Sequence, residues 1–244
     1  ALDYVRQIGK TPIVVNDSRG FFANRCVLRY IAEGYEMLME GVPPAMIENV
    51  GRMAGMPVGP LSLNDEIAID LALKIMKATE ADLGPQAVPQ DQKNLLIEMV
   101  EKRGRLGRKN GKGFYDYDSK PKTLWKGLSE LAPVTIAEST PELVEDQKRR
   151  LLYRQAVEVA RCWEEGVIDD PREADVGAIL AWGFAPWTGG PITYIDQIGL
   201  KAFVEQADRY AAQYGERFTP PQLLRDMAAK GETFYGKFAG KKAA

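Results

Sequence analysis

The stretch GFFANRCVLRYIAEGYEMLMEGV, residues 20–42, decides the fold. Its apolar side chains recur every three or four positions, which is the spacing that gives a helix one buried face. The members of this stripe are Phe22, Cys26, Val27, Tyr30, Ile31, Tyr35 and Leu38. A helix is therefore predicted from Phe21 to Glu40, and Gly41 is the type of residue that ends one.

Shorter patterns continue the helical plan. Helices are predicted over 44–54, 67–81 and 90–103, with a rigid loop over 55–60. Only one β-branched run, Lys10 to Val15, is typical of a strand. A single strand cannot form a sheet, so it either pairs with something outside the chain or lies as an extended lead-in. The predicted fold is all-α, with this short N-terminal strand as a remnant of another domain.

The second half of the chain repeats the plan of the first. Identical residues recur in the same order, first 125, then 128 and then 131 positions apart. The matches are Glu33, Glu40, Gly41 and Val42 with Glu158, Glu165, Gly166 and Val167, then Gly55 with Gly183, then Gly59, Pro60, Asp65 and Ile67 with Gly190, Pro191, Asp196 and Ile198. This order predicts a duplication. It gives a remnant and hinge over 1–18, a first helical unit over 19–118, a linker over 119–141 and a second unit over 142–240.

Composition excludes several classes of function. The 244 residues are 45% apolar and 27% charged, with a formal net charge of −2, so no charge excess indicates nucleic acid or a membrane surface. No apolar run approaches the roughly 20 residues that cross a bilayer, and the N-terminus lacks a signal-peptide pattern. Cys26 and Cys162 are expected to be buried, reduced thiols, which fits an intracellular compartment.

The chain contains no histidine. This excludes Ser-His and Cys-His nucleophilic devices and His-ligated metals, and it removes the commonest general base. Acid–base chemistry by this chain alone would need carboxylates, lysine or tyrosine. No clear pair of carboxylates stands out in an apolar setting.

Four stretches resemble the 3-hydroxyacyl-CoA dehydrogenase family. They are GKTPIVV (9–15), DSRGFFANR (17–25), GRKNGKGFY (107–115) and GFAPWTGGP (183–191). Their shared order is more specific than any one of them. Two such helical units in tandem are similar to the C-terminal region of the α-subunit of a multifunctional fatty-acid β-oxidation complex. The family usually has proline where Arg19 stands, which puts the geometry of that turn in doubt.

The resemblance implies the substrate-cleft and assembly region of an enzyme that oxidises the 3-hydroxyl of an acyl-CoA with NAD. In the family a Rossmann domain binds NAD and carries the histidine and glutamate that act as the base. An enoyl-CoA hydratase domain precedes it in the multifunctional enzymes. This chain has no Gly-x-Gly-x-x-Gly opening a strand–helix unit, so it is expected to be inactive alone.

The resemblance also implies partners and a compartment. The expected partners are an acyl-CoA substrate, the Rossmann domain of the same protein, and a second copy or a thiolase subunit. No nucleic acid, metal or membrane span is expected. The implied compartment is the cytoplasm of a bacterium, or the mitochondrion or peroxisome of a eukaryote.

Two residues are the candidates for the site. The resemblance places Asn24 beside the catalytic histidine and the substrate, where an amide can donate and accept together; the alternative is a helix-start asparagine that bonds locally. It places Lys109, in the basic loop 102–112, against NAD; the alternative is a solvated loop charge. Arg108 and Lys112 are weaker candidates for the same contact.

Other assignments stay open. Trp182, Phe184 and Trp187 are interpreted as core packing, or alternatively as a wall of the acyl-chain groove. A non-enzymatic helical module for dimerisation or scaffold docking is the competing function. The same region of a stand-alone 3-hydroxybutyryl-CoA dehydrogenase is a third reading. The sequence upstream of Ala1 would distinguish them, through a Rossmann fingerprint and a hydratase domain.

Overall fold

The fold is all-helical, as predicted, in a computed structural model that describes residues 1–136 and 138–243. The helices are α1 (Leu2–Gln7), α2 (Ala23–Met39), α3 (Pro44–Met53), α4 (Pro60–Ile67), α5 (Ile69–Leu83), α6 (Gln90–Ile97), α7 (Leu128–Leu131), α8 (Pro141–Glu164), α9 (Pro171–Trp182), α10 (Pro191–Ile198), α11 (Leu200–Tyr214), α12 (Gln222–Lys230) and α13 (Phe234–Ala243). Within the described residues, β-structure is limited to β1 (Tyr115–Asp116) and β2 (Thr123–Leu124), an antiparallel pair, and two isolated bridges beside it.

Helix α4 is the main element that the sequence patterns do not predict. Gly59 precedes it and Pro60 occupies its first turn, a place where proline needs no hydrogen-bond partner. The Gly-Pro pair that was interpreted as a rigid loop therefore starts a helix. The helix predicted over 90–103 is also interrupted, because α6 ends at Ile97 and a wider helical turn follows over Glu98–Lys102.

The chain divides into two compact units. One, the split unit, contains residues 1–29 and 149–244, and the other, the continuous unit, contains residues 30–148. In the continuous unit, part of the predicted linker is folded: it carries β2 and α7, and Thr135 donates its backbone N–H to the Gly41 carbonyl at 3.0 Å. Ala137, also in that linker, lies outside the described residues.

In the split unit, residues 10–18 form neither a helix nor a strand. Val14 donates its backbone N–H to the Glu173 carboxylate at 3.0 Å, and Asn16 donates to the carbonyls of Val167 and Gly166 at 2.9 and 2.7 Å. Within the described residues this run is an extended lead-in, and its pairing with a strand outside the chain stays a prediction.

The same succession of elements occurs twice. Helices α4 and α5 begin and end 131 positions before α10 and α11. The residues that separate them, Ala68 and Gly199, both have positive φ, 96° and 85°. The sequence matches at this spacing therefore coincide with equal helix bounds and similar backbone angles in the two copies. The bounds of the two copies, 19–118 and 142–240, stay a prediction.

Candidate functional site

The Asp65 carboxylate organises the end of the basic loop in the continuous unit. It accepts hydrogen bonds from the backbone N–H groups of Phe114 and Tyr115, at 2.8 and 2.9 Å, and from the Tyr117 hydroxyl at 3.1 Å. Burial raises the pKa of Asp65 to about 6, and these hydrogen bonds oppose that rise. A Cβ at Gly107 or Gly113 would collide with Asp65, which explains glycine at both positions.

A second buried carboxylate belongs to the same cluster. Glu48 accepts hydrogen bonds from the backbone N–H groups of Leu61 and Ser62, at 2.9 and 3.2 Å, and from the Tyr115 hydroxyl at 2.9 Å. Burial raises its pKa as well. Tyr115 contacts both carboxylates, Asp65 through its backbone N–H and Glu48 through its hydroxyl. The hydrogen bonds of the two carboxylates join α3 and α4 to the end of the basic loop.

The split unit contains the counterpart of this cluster. Asp196 accepts hydrogen bonds from the backbone N–H groups of Phe234 and Tyr235, at 3.0 and 3.1 Å. Asp175 accepts from Ile192 N–H at 2.7 Å and from the Tyr235 hydroxyl at 2.9 Å. The repeated Asp65 and Asp196, followed in each copy by a Phe-Tyr pair, are the signal that could have identified both clusters from sequence.

Lys109 lies at the exposed tip of the loop that Asp65 holds. It is the middle residue of a short 3₁₀ turn over Arg108–Asn110, and its side chain is 46% exposed. Its ammonium forms an ion pair with Asp70 in the first turn of α5, and this hydrogen bond lowers the pKa of Asp70. Arg108 pairs with Glu66 at 2.7 Å. Arg108 and Lys109 thus lie at the surface, each beside a carboxylate.

Asn24 is the second residue of α2, in the split unit, and its side chain is exposed. Its amide makes no hydrogen bond to any residue that the structure describes, so the predicted alternative of a locally bonded asparagine is not observed. The turn before it is closed by a hydrogen bond from Phe21 N–H to the Ser18 carbonyl at 2.9 Å, with Arg19 inside it. Gly20 and Phe21 both have positive φ, 80° and 49°.

The side chains around Asn24 anchor the start of α2. Phe22 is buried and meets the Trp182 ring edge-on, with centroids 5.5 Å apart. Arg25 pairs with Glu158 of α8 and with Glu165, the residue directly after that helix. The exposed amide therefore lies on a helix turn whose other side chains are fixed. Asn24 belongs to the split unit and Lys109 to the continuous unit.

The aromatic and cysteine predictions have separate outcomes. Trp182 and Phe184 are buried, and the Trp182 indole donates to Gln155 at 3.0 Å, as expected of packing residues. Trp187 is 66% exposed, so it is not a core residue. Cys26 and Cys162 are both buried and free, which confirms the prediction of reduced thiols.

Two kinds of site do not occur in the described part of the chain. None of its helices combines the length and the apolar character that crossing a membrane requires. No three histidine, cysteine, aspartate or glutamate side chains among residues 1–136 and 138–243 converge as ligands for a metal ion.

By sequence, the chain matches the C-terminal region of the 3-hydroxyacyl-CoA dehydrogenase family. Residues 20–117 match the family model described as 3-hydroxyacyl-CoA dehydrogenase, C-terminal domain. The chain is 39% identical to the fatty acid oxidation complex subunit alpha of Vibrio vulnificus over 93% of its length, and 40% identical to that of Vibrio cholerae over 94%. It spans only 31% and 32% of these relatives.

Solved structures of the same fold come from two such enzymes. A 3-hydroxybutyryl-CoA dehydrogenase from Escherichia coli superposes with a TM-score of 0.70 at 20% identity, covering 95% of this chain and 66% of that one. The dehydrogenase part of multifunctional enzyme 1 from Caenorhabditis elegans gives a TM-score of 0.64 at 22% identity, covering 92% and 51%. At these identities the likeness establishes the fold alone.

Proposed function

We propose that this chain forms the substrate-cleft and assembly region of an NAD-dependent 3-hydroxyacyl-CoA dehydrogenase of fatty-acid oxidation. The observation that carries the proposal is the identity of 39–40% with fatty acid oxidation complex alpha subunits over nearly the whole chain. The exposed amide of Asn24, on an anchored helix turn within the matched domain, is the structural feature that fits it best.

Asn24 is assigned the task of orienting the groups that react. Oxidation of a 3-hydroxyl removes a proton from oxygen and a hydride from carbon, so a base must be held against the hydroxyl group. An amide can accept a hydrogen bond from a neutral imidazole and donate one to a substrate oxygen. Because the chain has no histidine, the imidazole must come from another domain. An exposed position on a fixed turn suits an amide that faces another domain.

NAD, when bound, takes up the hydride, and Lys109 is the residue of this chain assigned to contact it. The fit rests on the exposed ammonium at the loop tip, because a flexible cation can reach an anionic group of a cofactor on an adjoining domain. Asp70 holds the same ammonium and would compete with that contact. Most of the NAD site is assigned to a Rossmann domain, since this chain lacks a dinucleotide-binding motif.

The wider assignments extend the same proposal. The substrate is an acyl-CoA, and the protein that carries this region also carries a Rossmann domain and an enoyl-CoA hydratase. It works in the cytoplasm as a homo-oligomer or with a thiolase subunit. A Rossmann fingerprint in the sequence upstream of Ala1 supports the dehydrogenase, whereas its absence supports a non-enzymatic scaffold.

The proposal is tested by comparing the full-length protein with residues 1–244 alone. With a 3-hydroxyacyl-CoA and NAD, we expect the full-length protein to form NADH and the isolated chain to form none, because the base and most of the NAD site lie outside it. Circular dichroism of the isolated chain controls for folding. NADH formation by the folded chain alone, or none by the full-length protein, would contradict the proposal.

A further inference from the structure

Arg25 is the side chain next to Asn24, and it is held from two directions. Its Nε lies 2.9 Å from Glu158 Oε1, and its two terminal nitrogens contact the two carboxylate oxygens of Glu165, one of them at 3.0 Å. A guanidinium that meets a carboxylate with both nitrogens is fixed in distance and in angle. The Arg25 side chain is only 16% exposed.

The charges of this cluster stabilise one another. The hydrogen bond with Glu165 is the main cause that raises the pKa of Arg25, and the same bond lowers the pKa of Glu165. Burial alone would raise the pKa of Glu158, whose side chain is 2% exposed. The surrounding arginines outweigh burial and lower this pKa; they are Arg29, Arg154, Arg25 and Arg161. The network is therefore ionised, and its centre at Glu158 is buried, which favours one arrangement of the side chains around it.

Fixing Arg25 also fixes the direction of Asn24. Adjacent side chains on a helix project about 100° apart, because one turn holds 3.6 residues. When one of them is clamped and the turn is anchored again by buried Phe22, the turn cannot rotate. The Cα–Cβ bond of Asn24 then points in one direction relative to the unit, so the exposed amide starts from a fixed position. A displacement of only about 1 Å at such a group can cost on the order of a hundredfold in rate.

The carboxylates that hold Arg25 come from the second copy. Glu158 and Glu165 lie on α8 and at its end, and they repeat Glu33 and Glu40 of the first copy, 125 positions earlier. The start of the second copy has no asparagine at the position that corresponds to Asn24. The second copy thus supplies the carboxylates that hold Arg25 beside Asn24, but it has no counterpart of Asn24 itself.

We propose that Arg25, through its ion pairs with Glu158 and Glu165, is a positioning residue for Asn24. This inference rests on the proposed function, because the position of Asn24 affects turnover only if Asn24 acts in the dehydrogenase site. Glu158 and Glu165 make the second copy a functional part of that site. The loss of Arg25 therefore acts on turnover through Asn24 and not through binding of the substrate.

A double-mutant cycle in the full-length protein tests this. The variants are Asn24→Ala, Arg25→Gln and the two combined, with kcat and KM measured for NAD-dependent oxidation of a 3-hydroxyacyl-CoA. We expect Arg25→Gln to lower kcat about tenfold, with KM for the acyl-CoA within about twofold. In the Asn24→Ala background, Arg25→Gln should change kcat by less than about twofold, because residues that act as one unit are not additive.

Three further variants distinguish a positioning role from a simple folding defect. Glu165→Gln removes one charge from a half-exposed side chain, so it should fold, and it should lower kcat in the same direction by a smaller factor. Arg225→Gln breaks a bidentate pair with Asp208 in the same unit, far along the chain from Asn24, and should leave kcat unchanged. Arg25→Lys keeps the positive charge but cannot contact Glu165 with two nitrogens, so its kcat should lie between those of Arg25→Gln and the unchanged protein.

The possible outcomes distinguish a failure of the Asn24 assignment from a failure of the positioning role of Arg25. If Asn24→Ala leaves kcat unchanged, the assignment of Asn24 fails, and the positioning role fails with it. If Asn24→Ala lowers kcat but Arg25→Gln does not, only the positioning role fails. It fails equally if the effects of the two changes multiply, because Arg25 would then act independently of Asn24.

Discussion

At the scale of single residues, Ala68 occupies a conformation that alanine rarely adopts. Its φ of 96° and ψ of 123° lie where a Cβ is disfavoured, and the corresponding residue of the second copy is Gly199, with φ 85° and ψ 131°. A strained backbone conformation of this kind costs on the order of 1–3 kcal/mol. The first copy therefore carries a local strain that the second copy avoids.

We expect Ala68→Gly to raise the free energy of unfolding by about 1 kcal/mol, because relief of strain exceeds the added freedom of the unfolded chain. Gly199→Ala should lower it by a similar amount, although a Cβ there would meet no other atom within 4 Å. Urea denaturation of the three proteins measures both effects. The control is Ala78→Gly inside α5, which should lower stability by about 1 kcal/mol. Destabilisation by Ala68→Gly would contradict the strain.

Lys109 gives a second prediction at the same scale. Lys109→Ala in the full-length protein should raise KM for NAD about tenfold, because a cation that contacts the cofactor is removed. Lys74→Ala is the matched control, since Lys74 lies 3.5 Å from the same Asp70 carboxylate but belongs to α5 and not to the loop. Steady-state kinetics with varied NAD measure both. Equal KM values in the two variants would remove Lys109 from the cofactor site.

At the scale of elements, the sequence predicts long periodic helices well and buried polar anchors poorly. The stripe from Phe22 to Leu38 predicts α2 within two residues at its start, because burial of one helix face depends on spacing alone. Helix α4 is too short for such a stripe. The role of Asp65 depends on backbone groups that lie about 50 positions away in the chain. Patterns over neighbouring residues do not indicate contacts between positions so far apart in the chain.

Asp65 makes the fold of the loop depend on pH. Burial raises its pKa from the ordinary 3.8 to about 6, so the folded protein binds this proton more tightly than the unfolded chain. The stability that it contributes is complete below about pH 4 and is lost as the pH rises through about 6. Asp65→Asn removes this titration and two of its acceptor contacts. The stability deficit of the variant should therefore be larger near pH 4.5 than near pH 7.

Urea denaturation at the two pH values tests this expectation. The variant Asp196→Asn is the matched comparison, because Asp196 has the same two kinds of backbone donor and its pKa is also raised by burial. It should show the same trend. A deficit of Asp65→Asn that is constant or grows toward pH 7 would contradict the role of burial.

At the scale of the whole molecule, the repeat is the feature that sequence and structure share most directly. Identical residues 131 positions apart indicate that α10 and α11 correspond to α4 and α5, since a duplicated sequence keeps the same local packing. The two compact units do not follow the predicted copies, because residues 1–29 associate with residues 149–244. Sequence reasoning could not find this division, since it depends on contacts such as that of Arg25 with Glu158.

The central claim is that residues of this chain complete a 3-hydroxyacyl-CoA dehydrogenase site. Asn24→Ala in the full-length protein tests it most directly, with Asn49→Ala, another exposed helical asparagine, as the control. We expect Asn24→Ala to lower kcat/KM for a 3-hydroxyacyl-CoA at least about a hundredfold while the unfolding free energy changes by less than about 0.5 kcal/mol. Asn49→Ala should change neither. Unchanged kinetics in Asn24→Ala would contradict the account.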